Sequence, residues 1–199
     1  MHISDNGSMD EQKLNFGYHE KWVRYGLLDR EIYQAQLKAA EADEDGIPDE
    51  HYRYATFRRW FMNRQSASLD ELDRYMELAI EDVDSPMGGS ALASLLERHW
   101  LTDDQFDHVA KRVLAHGDWT EKIIMRHKLL RALKADALSD ELFQECLEQG
   151  DGHVHEPLLD RKDLTRSMAQ ALTEHGANRQ IRQEASNLLQ HRRNWPDHE

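Results

Sequence analysis

Apolar positions in this chain fall in pairs, and five of the pairs open the same short motif: two apolar residues, one variable residue, then Arg and a polar or basic residue. It reads Phe61-Met62-Asn63-Arg64-Gln65, Leu95-Leu96-Glu97-Arg98-His99, Ile123-Ile124-Met125-Arg126-His127 and Leu158-Leu159-Asp160-Arg161-Lys162. A looser copy is Leu188-Leu189-Gln190-His191-Arg192. The copies start 34, 28, 35 and 30 residues apart. About thirty residues is the length of one helix pair, so the spacing predicts a short α-solenoid.

Helix punctuation follows the same order. Predicted starts are Ser68-Leu69-Asp70-Glu71, Thr102-Asp103-Asp104-Gln105, Ser139-Asp140-Glu141 and Leu164-Thr165. Ser68 with Glu71 and Thr102 with Gln105 have capping-box spacing. Ser139 and Thr165 are simple N-caps, whose hydroxyls accept from a first-turn N–H. Predicted stops are His116-Gly117-Asp118, Gln149-Gly150-Asp151 and His175-Gly176-Ala177, with glycine expected in the left-handed conformation and the preceding His facing the negative end of the helix dipole. The first helix of each unit then runs from the Ser/Thr to the Gly, and the second ends near the Arg motif.

The N-terminal third lacks the motif. The run Phe16 to Tyr25 is dense in aromatics. Asp29 is placed to cap a helix through Ala40, with Leu28, Ile32, Ala35 and Ala39 on one face. The segment Glu41 to Pro48 breaks it, and a second helix runs from Asp49 to Met62 with Tyr52, Tyr54, Phe57, Trp60 and Phe61. Such a hairpin reads as a cap on the open end of the array, its aromatics serving as core, with an aromatic docking surface as the alternative. The expected organisation is a disordered or vector-derived start over 1–12, with Met9 an alternative native start. A helical cap over 13–60, repeats over 61–192 and a polar tail over 193–199 follow. The fold class is all-α: a right-handed solenoid of about four helical hairpins behind an N-terminal cap.

Composition is consistent with this. Charged residues make up 32% and hydrophobic residues 39%, with only 4 Pro and 10 Gly in 199 residues, as suits helices wetted on one side. A lone Cys146 within an apolar run excludes an internal disulfide framework, reads as a buried small side chain, and fits a reducing cytoplasm. No apolar run reaches the roughly 18 residues that span a bilayer, and the polar start is no signal peptide.

The net charge of −13 is unevenly spread: −4 over residues 1–60, −8 over 61–110 and −1 over 111–199. The acidic stretch is expected to attract a basic partner and repel nucleic acid. Bases gather later: Lys122, Arg126, Lys128, Arg131 and Lys134, then Arg161, Lys162, Arg166, Arg179, Arg182, Arg192 and Arg193. These read as solvated charge balanced by neighbouring acids, with a basic stripe as the alternative.

Candidate chemistry is sparse. Asp43-x-Asp45-Gly46 is similar to the middle of a calcium loop, but Tyr52 stands where the loop's closing acid belongs. His153-Val154-His155-Glu156 reads as an inter-helix loop, without a second ligand group for a metal. Neither a Ser-His-Asp order, a phosphate loop nor a CxxC pair is present. No catalytic residue, metal or cofactor is assigned. The repeated Arg64, Arg98, Arg126 and Arg161 are expected to form a structural ladder, bonding carboxylates (Asp70, Asp104, Asp140 or Asp163) or helix-end carbonyls of a neighbouring unit, with a ligand-facing row as the alternative.

The stretch Leu158-Leu159-Asp160-Arg161-Lys162-Asp163-Leu164-Thr165, continuing through Ala171-Leu172 and His175-Gly176 to Ile181-Arg182 and Ala185, resembles bacterial HEAT-like repeats and the leucine-rich-repeat variant. The resemblance covers about residues 61–192 and is best over 158–189. The variant family's N-terminal cysteine cluster is absent here, so no iron–sulfur site carries over. HEAT-like folds also include alkylpurine DNA glycosylases and phycobilin lyases, and no catalytic residue of either matches a position in this chain.

The expected function is non-enzymatic protein binding, as an adaptor, inhibitor or immunity-type factor. The expected contact surface is Asp70, Glu71, Asp73, Glu77, Asp103, Asp104 and Asp107. Two alternatives stay open: a nucleic-acid-associated protein using the basic C-terminal half, and an enzyme with a small-molecule site in the concavity of the array. The terminal apolar residues Leu188, Leu189 and Trp195 also raise a homodimer through an exposed end.

Overall fold

A computed structural model describes residues 14–43, 46–62, 64–115, 117–134, 137–192 and 194–196. The expected disorder of 1–12, the Glu44-Asp45 centre of the calcium-like loop, and most of the polar tail lie outside these residues. All regular structure among the described residues is helical. The chain divides into two compact units, with the boundary between Asp118 and Trp119.

The first unit holds α1 (Glu20–Arg24), α2 (Arg30–Glu41), α3 (Asp49–Met62), α4 (Leu69–Ile80), α5 (Ser85–Leu96) and α6 (Asp103–Leu114). Asp29 caps α2 by accepting from the Ile32 N–H, and both expected capping boxes form at Ser68 and Thr102. On α2 the buried face is Ile32 and Tyr33, whereas Ala35 and Ala39 are exposed. The larger side chains reach the aromatic core and two methyl groups do not. Helix α5 starts at Asp84, which accepts from the Met87 N–H, with a Pro in its first turn. It lies so close to α4 that a Cβ on Gly88 would come 2.1 Å from the Ala79 carbonyl oxygen. α3 packs on α5 and α4 on α6, while α4 and α6 both pack on α5, so alternate helices form two rows.

Most of the N-terminal aromatics are core, while Phe16, Tyr25 and Tyr54 are half-buried. Tyr18, Trp22, Tyr52, Phe57, Trp60 and Phe61 are all buried. Trp22, Phe57 and Tyr75 make successive ring contacts at 4.7 and 5.0 Å. Tyr18 reaches Thr56 Oγ1 at 2.6 Å and donates to the Tyr52 carbonyl at 2.9 Å. Desolvation by burial dominates its environment and pushes the Tyr18 hydroxyl up to about 12. Arg53 and Asp82, with side chains 3% and 0% exposed, pair at 2.9 Å. Arg53 also donates to the Phe16 carbonyl at 2.6 Å, fastening the segment before α1 to the end of α4. Burial opposes the Arg53 charge, but its hydrogen bonds and Coulombic attraction to Asp82 outweigh that and its pKa rises.

The second unit holds α7 (Glu121–Ala132), α8 (Asp140–Gln149), α9 (Gly152–Leu159), α10 (Arg166–His175) and α11 (Arg179–His191), with a 3₁₀ turn over Asp118–Thr120 leading into α7. Ser139 and Thr165 cap α8 and α10 as expected. α7 packs on α9 and α9 on α11, while α8 packs on α10, again giving two rows. The core between them includes Leu129, Phe143, Cys146, Val154, Leu158, Leu172 and Ile181. Cys146 is fully buried, and burial raises its thiol to about 11. Leu188, Leu189 and Trp195 pack partly buried against this core.

Three expectations change here. Two of the helix-stop glycines are not left-handed: Gly150 has φ −76° and ψ 152°, and Gly176 has φ −54° and ψ 140°. His116, at the third stop, lies outside the described residues. What requires glycine at 150 and 176 is space. A Cβ would sit 2.3 Å from the Cys146 carbonyl oxygen at Gly150 and 2.5 Å from that of Leu172 at Gly176. Secondly, 153–156 is helix, not loop. Asp151 accepts from the His153 N–H and starts α9 at once. His155 is buried, with Nδ1 accepting from the Ala177 N–H at 3.1 Å, so Nε2 carries the hydrogen donated to the Cys146 carbonyl at 2.8 Å. Thirdly, the Arg motif closes α3, α5, α9 and α11, but its Ile123 copy lies in the first half of α7. Lys134, beyond the C-terminus of α7, holds the place taken by Arg98 and Arg161 elsewhere.

Candidate partner-binding surface

The seven expected acids sit on α4 and α6, whose N-termini lie side by side. Gln105 at the start of α6 donates to the Ala67 carbonyl, just before α4, at 2.7 Å. One turn on, His108 Nε2 donates to Asp73 Oδ1 at 2.9 Å. First-turn acids Asp70 and Glu71 on α4 and Asp103 and Asp104 on α6 oppose the positive ends of both helix dipoles.

The two helices use their acids differently. Every candidate on α4 has an internal partner. Asp70 pairs with Arg74 at 2.8 Å and Glu71 with Arg64 at 2.7 Å. Asp73 meets His108 and, at 3.7 Å, Arg112. Glu77 pairs with Lys21 at 2.7 Å and accepts from the Tyr25 hydroxyl at 2.9 Å. The Ser68 backbone N–H and the Arg64 guanidinium lower Glu71 to about 2. The hydrogen bond from Lys21 likewise lowers Glu77, and Lys21 rises in return. On α6, Asp103, Asp104 and Asp107 are exposed, on the side away from buried Phe106, Val109, Ala110 and Val113. Asp70 on α4 is exposed as well, whereas Glu71, Asp73 and Glu77 are half-buried.

The repeated arginines also part company. Arg98 lies over the Phe61 ring at 4.5 Å, reaching the preceding motif. Arg161 donates to the Leu133 carbonyl at the end of α7 at 2.7 Å and grips Asp163 with Nε and Nη2. That side-chain pairing, with the Leu138 N–H, draws Asp163 down to about 2. Arg64 lies over Trp60 of α3 at 4.3 Å and reaches forward to Glu71 of α4, the first helix of the next unit. Arg126 bonds the α9 N-cap Asp151 from the middle of α7. Arg192 reaches back to the carbonyls of Arg161 and Lys162. Its Arg stands one place later in the motif, which hid the equivalence. Among the other bases, Lys128 approaches Glu145 at 4.0 Å and Arg182 donates to the Gly176 carbonyl at 2.7 Å.

The second unit also carries a pocket of about 470 Å³, lined by Glu121, Lys122, Met125 and Arg126 of α7, Gln149 of α8 and Asp151. Arg126 Nε donates to Asp151 Oδ2 at 2.7 Å, with Nη2 2.5 Å from the same oxygen, while Asp151 Oδ1 takes the His153 N–H. Burial opposes the charge on Asp151, but the Arg126 and His153 interactions prevail and hold its carboxyl below the ordinary range. The α7 spacing of Lys122 and Arg126 was visible as sequence. Their meeting with Gln149 and Asp151 depends on α8 and α9 packing against α7.

The described residues define an all-α protein whose alternate helices pack in rows within each unit. No family model, curated protein or solved structure matches the chain. Among the described residues, no helix is long and apolar enough to cross a membrane.

Proposed function

We propose that this protein is a non-enzymatic, protein-binding α-solenoid of HEAT-like character, serving as an adaptor, inhibitor or immunity-type factor. Its acidic edge on α6 receives a basic protein. The observation that carries this reading is the placement of Asp103, Asp104 and Asp107 together, all exposed, on α6, beside Asp70 on α4, which is exposed as well. Held carboxylates shape the support, and exposed ones steer encounter with an oppositely charged surface. The alternating packing within each unit supports the solenoid part of the reading, since stacked hairpins bring like helices together.

The test is capture of partners by the tagged protein from native cell extract, with and without nuclease, read by mass spectrometry. The expected result is a basic protein retained after nuclease treatment. Its affinity should fall by about 10- to 100-fold on reversing Asp103, Asp104 and Asp107 to Lys. Capture that depends on nucleic acid, or full binding by the triple variant, defeats the proposal.

A further inference from the structure

We infer that the pocket between α7, α8 and the α9 N-cap is a binding site for a small organic carboxylate, distinct from the acidic edge in the first unit. Its volume of about 470 Å³ falls in the range of small-ligand pockets. The lining holds two acids, Glu121 and Asp151, and two bases, Lys122 and Arg126, and the donors left over on the bases point to an anion. Arg126 is fixed on one side by Asp151, whose two oxygens are both engaged. Its Nη1 end has no partner among the described residues. Lys122 lies one turn earlier, likewise without a partner there, and lines the same pocket.

Two like charges at i and i+4 on a helix repel, and an anion between them relieves that repulsion. A guanidinium already held by a carboxylate loses little freedom when its free edge accepts a second anion. Glu121 has an independent reason to be acidic, because it occupies the first turn of α7. Met125 adds a half-buried thioether wall, and Gln149 an amide donor. The wall favours a carboxylate with a short apolar chain over an inorganic anion.

Amide NMR titration of the full chain with sodium isovalerate tests this, with isopentylamine, inorganic phosphate and chloride as parallel probes. The expected result is a saturable shift confined to the first half of α7, the end of α8 and the start of α9. Lys122→Glu exchanges an exposed cation for an anion, so it should keep the native amide pattern and weaken isovalerate by about tenfold. Any one of four outcomes overturns the assignment: no saturable shift with isovalerate, equal binding of isopentylamine, equal binding of phosphate, or isovalerate binding unchanged in Lys122→Glu.

Discussion

At the scale of residues, ion pairs at helix junctions make this protein sensitive to acid. Glu71 and Asp163 both sit at about 2, below ordinary values of 4.5 and 3.8. A carboxyl whose folded pKa is depressed adds stability above its unfolded pKa and loses it as pH falls towards the folded value. Stability should therefore hold above about pH 4.5 and decline between there and pH 2. The side chains are 39% and 36% exposed, so screening limits each contribution to about 1 kcal/mol. Urea midpoints at pH 7 and pH 3 check this. Glu71→Gln, which keeps capping-box geometry, and Asp163→Asn should each lower the pH 7 midpoint and shrink its fall at pH 3. An unchanged fall in both variants would assign the acid sensitivity elsewhere. These partners were partly legible: the Ser68/Glu71 box is local in sequence, whereas Lys21 lies 56 residues from Glu77 and was not.

At the scale of elements, helix starts were read from sequence more accurately than helix stops. An N-cap is a contact across three residues, and Asp29, Ser68, Thr102, Ser139 and Thr165 each make it. The glycine stops depend on close packing of the chain after each turn, where sequence shows the residue but not its reason. This leads to a discriminating substitution. Asn tolerates the left-handed conformation, so it would partly replace a left-handed glycine better than Ala does. At Gly150 and Gly176 neither side chain fits, and both Ala and Asn should cost about 1–3 kcal/mol in urea unfolding. Asn variants clearly more stable than the Ala variants would restore the left-handed reading. The displaced Ile123 copy has a similar origin. Its residues satisfy the motif, but α7 runs on to Ala132 because nothing in the following turn stops it.

At the scale of the whole molecule, the net charge is −13 with its densest acidity over 61–110, and the proposed binding of a basic partner predicts a dependence on ionic strength. Raising salt from about 0.05 to 0.5 M shortens the screening length severalfold. The association rate should drop by about tenfold or more over that range while dissociation changes little. Stopped-flow mixing with the captured partner measures both. A salt-independent association rate would mean that shape alone, without the α6 acids, brings the two together.

Sequence by itself determined the all-helical class, the main helix starts and the concentration of acid before residue 110, because these rest on local spacing and composition. Even the aromatic N-terminal hairpin was readable as core, since rings at helical spacing have few other places to go. Tertiary structure decided which charges are occupied. Asp73 is engaged because His108 arrives from α6, and Arg126 because Asp151 arrives from α9. It also decided which arginines reach back along the chain, and it formed the pocket on α7. Each of these depends on side chains far apart in sequence meeting at a few ångströms, a distance that helix periodicity cannot encode.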